Sequence, residues 1–383
     1  MQVYTFVATC LFGLEKLLGE EIDALGYKRV DTMDGRVTFE GDIGAVARCN
    51  VFLRFAERVY IKMGECRATT FTELFDGAAA LPWEEWIGKN DAFPVTGHSI
   101  KSALFSVPDC QKIIKKAIVN RLSPIYGVSR FSETENRIRV EFFIFRDVAH
   151  YMIETSGAPL HKRGYRPESV AAPLRETLAA AIAALSRPRE NVLLWDPFCG
   201  SGTIAIEAAM MMQKRAPGMN RSFAAEDFPQ ISADIWDRAR EEARDSIVAT
   251  DFRANATDID PAAISLTLAN ARRAGVSELI NAFEMDARQL KNNGERGTVV
   301  TNPPYGERLM SYAEVEKLYG DIGRTFAALD PWQIYILTSD EQFERHYGKR
   351  ADKVRKLYNG MIPCRLYQFF KSSKTIPKRG PLV

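Results

Sequence analysis

Residues 195–204 read Trp-Asp-Pro-Phe-Cys-Gly-Ser-Gly-Thr-Ile, and the run into them at 192–195 is apolar. The stretch predicts a strand that enters a Gly-rich turn and then opens a helix over 203–212. Gly200 and Gly202 let the backbone reverse sharply and let a ligand lie against bare main chain. Further along, residues 301–309 read Thr-Asn-Pro-Pro-Tyr-Gly-Glu-Arg-Leu, again at the end of a predicted strand over 298–301. Working outward from these blocks, strands are expected at 192–195, 254–257, 281–284, 298–301, 333–337, 354–358 and 365–370. An Ala-rich helix is expected over 174–185.

Helices separate most of the early strands, which predicts an α/β fold with a parallel sheet covered on both faces. The last two strands are joined only by Asn-Gly-Met-Ile-Pro at 359–363, too short for a parallel crossover, so they must pair antiparallel. A parallel sheet with one antiparallel strand is the Rossmann-like architecture of a large class of S-adenosylmethionine-dependent methyltransferases.

In such sheets ligands sit beyond the carboxyl ends of the strands, where strand order reverses. Asp196 is expected to face the ammonium of a methionine moiety, with Phe198, Gly200, Gly202 and Thr203 lining the turn beside it. The next strand delivers Asp258 as acceptor for the ribose hydroxyls, while Asp260 caps a helix that begins at Pro261. Ile259 is placed against the adenine ring. Asp286 is expected to accept from the adenine amino group beside Ala287. A nicotinamide-binding turn would want a third glycine and an acidic residue about 20 positions on. Here Asp258 lies 62 positions after Asp196, and the Gly-Lys-Ser/Thr of a phosphate-binding loop is absent.

The second block suits chemistry on a nucleobase. An exocyclic amino nitrogen is a poor nucleophile because its lone pair is delocalised into the ring. It needs acceptors that hold its N–H groups and turn the lone pair toward an electrophile. Asn302 offers a side-chain carbonyl, Pro303 a backbone one, and Tyr305 a flat face for an extruded base. Asn302 also borders the expected cofactor site. Cys199 sits in the glycine turn rather than in the second block, which predicts a small buried residue and not a pyrimidine-C5 nucleophile.

Upstream, residues 1–55 read strand, helix, hairpin, helix, with Asp34-Gly35 as the hairpin turn and Gly26 as a helix C-cap. This is a small α+β unit of ferredoxin type. Residues 56–155 carry a second α/β pattern with a helix over 109–122 and a late strand pair turned by Arg146-Asp147. Residues 156–172 read as a linker and 173–383 as the catalytic domain. The run 236–244 mixes Arg and Glu and reads as a solvated helix face.

Net charge is only +2 over 383 residues, so nucleic-acid affinity must come from local basic clusters. Lys112, Lys115 and Lys116 on one helix face, and Lys162, Arg163 and Arg166 in the linker, are the expected phosphate contacts, with 345–356 and 371–379 as further basic stretches. The six cysteines form no CxxC pair and have no histidine at ligand spacing, which predicts no metal and suits a reducing cytoplasm. Neither a signal peptide nor a membrane span is expected.

The chain resembles the bacterial THUMP-domain methyltransferases that act on guanine N2 of large-subunit ribosomal RNA. The resemblance runs through Gln-Lys-Ile-Ile-Lys-Lys-Ala-Ile at 111–118, His-Lys-Arg-Gly-Tyr-Arg at 161–166, Ala-Pro-Leu-Arg-Glu-Thr-Leu-Ala-Ala at 172–180, and both blocks above. It implies a ferredoxin-like unit, a THUMP RNA-binding domain over 56–155 and a C-terminal S-adenosylmethionine-dependent methyltransferase. It further implies 23S ribosomal RNA as partner, action as a monomer, and a single activity, since no second methyltransferase domain follows. A tRNA guanine-N2 or adenine-N6 enzyme is the alternative, because Asn-Pro-Pro-Tyr serves any ring amino group. A non-catalytic RNA-binding assembly factor with a retained cofactor site is the alternative of another class.

Overall fold

Alternating apolar residues and a tight Asp34-Gly35 turn build the first sheet, whose strands β1 (Tyr4–Cys10), β2 (Lys28–Met33) and β3 (Arg36–Gly41) pair antiparallel. Gly35 holds a positive φ of 74°, which the turn requires. Helices α1 (Glu15–Ala24) and α2 (Gly44–Phe52) belong to the same strand-helix-hairpin-helix segment, and Leu18, Ile22, Val46 and Val51 are buried. The computed structural model describes residues 2–167, 174–305 and 311–370.

Strand β4 (Ala56–Arg67) is twelve residues long and does two jobs. Its first half pairs with β1, and its second half pairs with β7 (Val148–Glu154). A single seven-stranded sheet therefore runs β2-β3-β1-β4-β7-β6-β5, with β5 (Val95–Ile100) parallel to β6 (Val140–Phe145). Between β4 and β5 lies α3 (Phe71–Ala79), capped by a reciprocal Thr70–Glu73 box. The crossover helix α4 (Val107–Tyr126) runs further at both ends than the 109–122 expected, and Pro124 sits inside its last turn. Arg146 and Asp147 turn β6 into β7 with φ of 50° and 63°.

The second sheet is built from β8 (Leu193–Asp196), β9 (Ala254–Asp258), β10 (Ile280–Glu284), β11 (Gly297–Thr301), β12 (Gln333–Thr338), β13 (Lys353–Asn359) and β14 (Ile362–Phe369). All seven strands expected from the sequence are present. Their order is β10-β9-β8-β11-β12-β14-β13. The five strands β10, β9, β8, β11 and β12 are parallel, and β14 is antiparallel to both β12 and β13. The antiparallel strand thus lies inside the sheet rather than closing it, and β13 forms the edge.

Helix α5 (Glu176–Ser186) leads into this sheet, and helices α6 (Thr203–Met212), α8 (Pro261–Ala274), α9 (Tyr312–Ala327) and α10 (Phe343–Tyr347) lie between its strands. Trp195, Val299, Tyr319, Ile334, Ile336 and Phe343 belong to one buried apolar cluster. Strand order departs in both directions from β8, so its carboxyl end marks the switch point at which ligands bind in this architecture.

Two compact units share the chain. One comprises β1, Leu18–Leu160 and Arg221–Glu242; the other comprises Leu11–Leu17, His161–Asn220 and the chain from Ala243 on. Helix α7 (Ala233–Asp245) holds the Arg/Glu run expected to be a solvated face. One face of α7 is solvated, but Trp236, Ala239 and Ala243 are buried, and Trp236 stacks on Phe223 at 5.3 Å. Arg240 and Glu242 are held in ion pairs with Glu226 and Arg48. Among the described residues no helix is long and apolar enough to cross a membrane.

Candidate active site

Asp196 ends β8 and is almost fully buried, at 1% exposure. Its Oδ1 accepts from Thr301 Oγ1 at 2.6 Å and from the Phe198 amide at 3.3 Å. Burial pushes its carboxyl up to about 7, partly opposed by those two donors. The Thr301 bond ties the end of β8 to the end of β11, one residue before Asn302. The two sequence blocks therefore meet at the carboxyl ends of two adjacent central strands.

The turn after Asp196 is fixed from several sides. Gly200 and Gly202 take φ of 52° and 78°. A Cβ on Gly202 would come within 2.6 Å of Thr267 Cγ2, so glycine is required there by space as well as by backbone angle. From α8, Thr267 Oγ1 donates to the Gly200 carbonyl and Asn270 Nδ2 donates to the Ser201 carbonyl, each at 3.0 Å. The Asp258 carboxylate accepts from the Gly200 amide at 2.9 Å and the Asp260 amide at 3.1 Å. Each of its oxygens keeps acceptor capacity for a further donor. Asp260 caps α8 through the Ala262 amide at 2.9 Å.

Thr267 and Asn270 carried no role in the sequence reading. Their signal was present all the same: they are polar residues in phase with Ala263, Ala271 and Ala274 on the buried face of α8.

Cys199 is buried and bonded to Thr267 at 3.6 Å, and burial pushes its thiol up, away from the thiolate that nucleophilic chemistry needs. Ile259 is 65% exposed, an apolar side chain at the strand end beside Asp258. Asp286 has a different engagement from the adenine contact expected. It caps a short helical turn at Ala287–Gln289, and both its oxygens accept from Arg288 Nε at 2.9 Å. The Arg288 guanidinium holds its carboxyl below the usual range. Ala287 is buried at 4%.

Asn302 is the least satisfied polar group here. Its Oδ1 is buried and has no hydrogen-bond partner among the described residues. The loop that carries it is anchored downstream, where Tyr319 Oη donates to the Pro304 carbonyl at 3.0 Å. Tyr305 Oη accepts from Asn359 Nδ2 at 3.5 Å, at the tip of the β13–β14 hairpin. Pro303 is buried. The Gly-Glu-Arg-Leu that completes the quoted block lies outside the described residues, as do Ala172, Pro173 and the basic stretch 371–379. A buried acceptor without a donor is costly to leave unpaired, which makes Asn302 Oδ1 a candidate acceptor for a bound N–H.

The basic candidates divide. Lys112 and Lys116 are exposed on α4, Lys112 within 3.5 Å of Asp109. Lys115 does not share their solvent face. Its ammonium donates to the Phe93 carbonyl at 3.0 Å and pairs with Glu133 at 2.9 Å, over the Phe93 ring. Lys162 is exposed. Arg163 and Arg166 are corrections: their side chains are 1% and 7% exposed, paired with Glu207 and Glu176. Charge this deeply buried must be paired inside the protein, which removes both from the set of phosphate contacts.

Comparison with known proteins gives this geometry its family. The RMKL-like methyltransferase domain matches residues 163–368, the RlmL ferredoxin-like domain residues 5–60 and the THUMP domain residues 68–154. The chain is 44% identical over 386 residues to "Putative RNA methyltransferase YpsC" of Bacillus subtilis (strain 168), covering 99% of this chain and 98% of that one. Two crystal structures superpose along nearly all of it. One is a possible methylase from Clostridium difficile 630, with a TM-score of 0.93, 41% identity, and coverage of 99% and 100%. The other is SMU.472, a putative methyltransferase complexed with SAH, with a TM-score of 0.89, 39% identity, and coverage of 97% and 99%. The chain belongs to the RMKL-like methyltransferases, preceded by an RlmL-type ferredoxin-like domain and a THUMP domain.

Proposed function

We propose that this methyltransferase modifies the exocyclic N2 amino group of a guanine in 23S ribosomal RNA. The observation that carries the reading is the buried Asn302 Oδ1, without a hydrogen-bond partner among the described residues and one residue from the Thr301–Asp196 bond that joins the two strand ends. The RNA substrate is supported by the THUMP domain and by the name of the Bacillus relative.

S-adenosylmethionine is the cofactor, and it supplies an electrophilic methyl on a sulfonium. The residues present fit it. Asp196, when ionised, offers a buried countercharge for the amino acid end. Asp258 offers acceptor capacity to the ribose, and Ile259 an exposed apolar surface to the adenine. Asn302 is assigned to accept from the target amino group, so that the nitrogen lone pair rehybridises out of the ring and points at the methyl. The Pro303 carbonyl is assigned as the second acceptor. Tyr305, steadied by Asn359, is assigned to stack on the extruded base. Transfer would form the nitrogen–carbon bond as the sulfur–carbon bond breaks, releasing S-adenosylhomocysteine, and one proton of the amino group would pass to water.

The test uses rRNA and tRNA fractions from cells lacking the gene. Each is incubated with purified protein and labelled S-adenosylmethionine, then digested for nucleoside mass spectrometry. N2-methylguanosine confined to large-subunit rRNA is the expected product. N6-methyladenosine, or label in tRNA alone, would replace the substrate assignment, and no transfer to either fraction would favour a binding-only assembly factor. Asn302→Ala should retain cofactor binding while single-turnover transfer falls by at least about a hundredfold, the order seen when an oriented transition-state group is removed.

A further inference from the structure

The His-Lys-Arg-Gly-Tyr-Arg stretch at 161–166 has no part in the chemistry above, and its two arginines do not face solvent. They enter a buried polar node beside the cofactor turn. Arg166 reaches four groups at once. Its Nη1 donates to Thr203 Oγ1 at 2.9 Å, to the Leu174 carbonyl at 3.0 Å and, at longer range, to Ser201 Oγ at 3.5 Å. Its Nη2 lies 3.0 Å from Glu176 Oε2 at the start of α5. Ser201 and Thr203 also bond each other at 3.0 Å and flank Gly202, the residue whose left-handed φ makes the turn. One helical turn further along α6, Glu207 is fully buried and accepts from Arg163 Nε at 3.4 Å and from Tyr165 Oη at 3.1 Å.

A node of this kind is a poor device for stability alone. Desolvating two ion pairs costs about what their attraction returns, and apolar side chains of similar volume commonly do as well or better. What charge and hydrogen bonds supply that apolar packing does not is a fixed register. The guanidinium is planar with rigidly directed donors, so its bonds to the Leu174 carbonyl and the Thr203 hydroxyl, with Glu176 beside it as countercharge, set where that hydroxyl lies. The turn is otherwise fastened through its backbone by Thr267, Asn270 and Asp258, all on the β9–α8 side. Arg166 fastens its side chains from the α5 side.

We propose that Arg166 is a positioning residue for S-adenosylmethionine, acting through Thr203 to hold the Ser201–Gly202–Thr203 turn in its binding register. The inference rests on the cofactor assignment above and on no assumption about the RNA target.

A double-mutant cycle on the full-length protein tests it, with S-adenosylmethionine and S-adenosylhomocysteine affinities read by calorimetric titration and folding by thermal melts. Arg166→Met and Thr203→Val should each weaken cofactor binding by about tenfold or more. Combined, they should be little worse than the larger single change, because both cut the same link. Arg166→Lys should fall in between, since an ammonium can meet Glu176 or Thr203 but not both in line. In single-turnover transfer the loss should appear in the cofactor KM, with kcat largely kept at saturation.

Arg163→Met is the contrast. It breaks the Glu207 pair and should lower the melting temperature while leaving cofactor affinity within about twofold. Should Arg166→Met fail to fold, the cycle is run with Arg166→Lys against Thr203→Val. Additive losses in either cycle would overturn the proposal, as would a lowered melting temperature with unchanged affinity. Failure of the wild-type chain to bind either ligand would instead remove the cofactor assignment itself.

Discussion

At the scale of single residues, the candidate site holds carboxylates whose surroundings differ sharply. Asp196 is enclosed, with its carboxyl raised to about 7 by burial, and the neighbouring Asp258 charge adds to the rise. Thr301 and the Phe198 amide oppose it. A folded-state value above the ordinary carboxylate range means that this group favours the ligand-free fold at low pH. That contribution is lost as pH rises through about 7. Cofactor affinity should run the other way, because the ammonium needs the ionised form. Between pH 8 and pH 6 it should fall, approaching about tenfold per unit once the group is mostly protonated. Titrations across that range should show the slope in the wild type and flatten it in Asp196→Asn; a slope shared by both would remove Asp196 from the ammonium site.

Asp258 makes a separate prediction. Asp258→Ala should weaken cofactor binding by about 1.5–3 kcal/mol, the worth of a charge-assisted bond, with the fold retained in circular dichroism. Equal affinity would sink the ribose assignment. The sequence made these carboxylates legible because strand ends are where an α/β sheet puts its ligands. It did not make Arg166 legible, since an arginine in a basic linker looks the same whether it reaches phosphate or Thr203. Nor was the Asp286–Arg288 pair legible: the two are only two residues apart, and whether they pair depends on the turn between them.

At the scale of elements, alternation and turn chemistry were sufficient for every strand of the second sheet, and the length of the 359–363 connection was sufficient for the antiparallel pair. The place of β14 within the sheet was not legible, because pairing order is set by long-range packing that no local spacing encodes. Helix α4 shows the same limit on one face. Lys112, Lys115 and Lys116 are equivalent by period, yet Lys115 is claimed by Glu133 and Phe93 from other segments. Only Lys112 and Lys116 are then available for phosphate. Changing both to Gln should lower affinity for total RNA and reduce its salt dependence by about 0.7 units of log–log slope per lost contact on single strands. Lys115→Gln should leave that slope in place and cost no more than about 1 kcal/mol of stability, as its ion pair is partly solvated. Filter binding across a salt series separates them, and an unchanged slope in the double variant would take α4 out of the RNA-binding surface.

For the whole molecule, the path of the chain decides how it can be dissected. The segment Arg221–Glu242 lies in sequence between β8 and β9 of the catalytic sheet but belongs to the N-terminal unit. The Ala225 amide donates to the Thr155 carbonyl at 3.0 Å, and Glu242 accepts from Arg48 at 2.7 Å. Phe223 and Trp236, 4% and 2% exposed, are packed within that unit. A fragment of residues 156–383 would retain this segment and lose the unit it packs into, together with Leu11–Leu17 of the catalytic unit. We expect it to bind an apolar dye, aggregate on warming and melt below the full chain, since burying two large aromatic side chains is worth several kcal/mol. Replacing 221–242 in the same fragment with a flexible Gly/Ser linker should remove the stranded apolar surface and recover cofactor binding near the full-length affinity. Neither fragment should methylate RNA at ordinary concentrations, because the THUMP domain and α4 are gone and a site that reads one base has no means of choosing among thousands. Were the unmodified fragment as soluble as the full chain, the segment would not depend on the N-terminal unit. Were either fragment to modify the same nucleotide as the full chain at a similar rate, the catalytic unit would be choosing its own target.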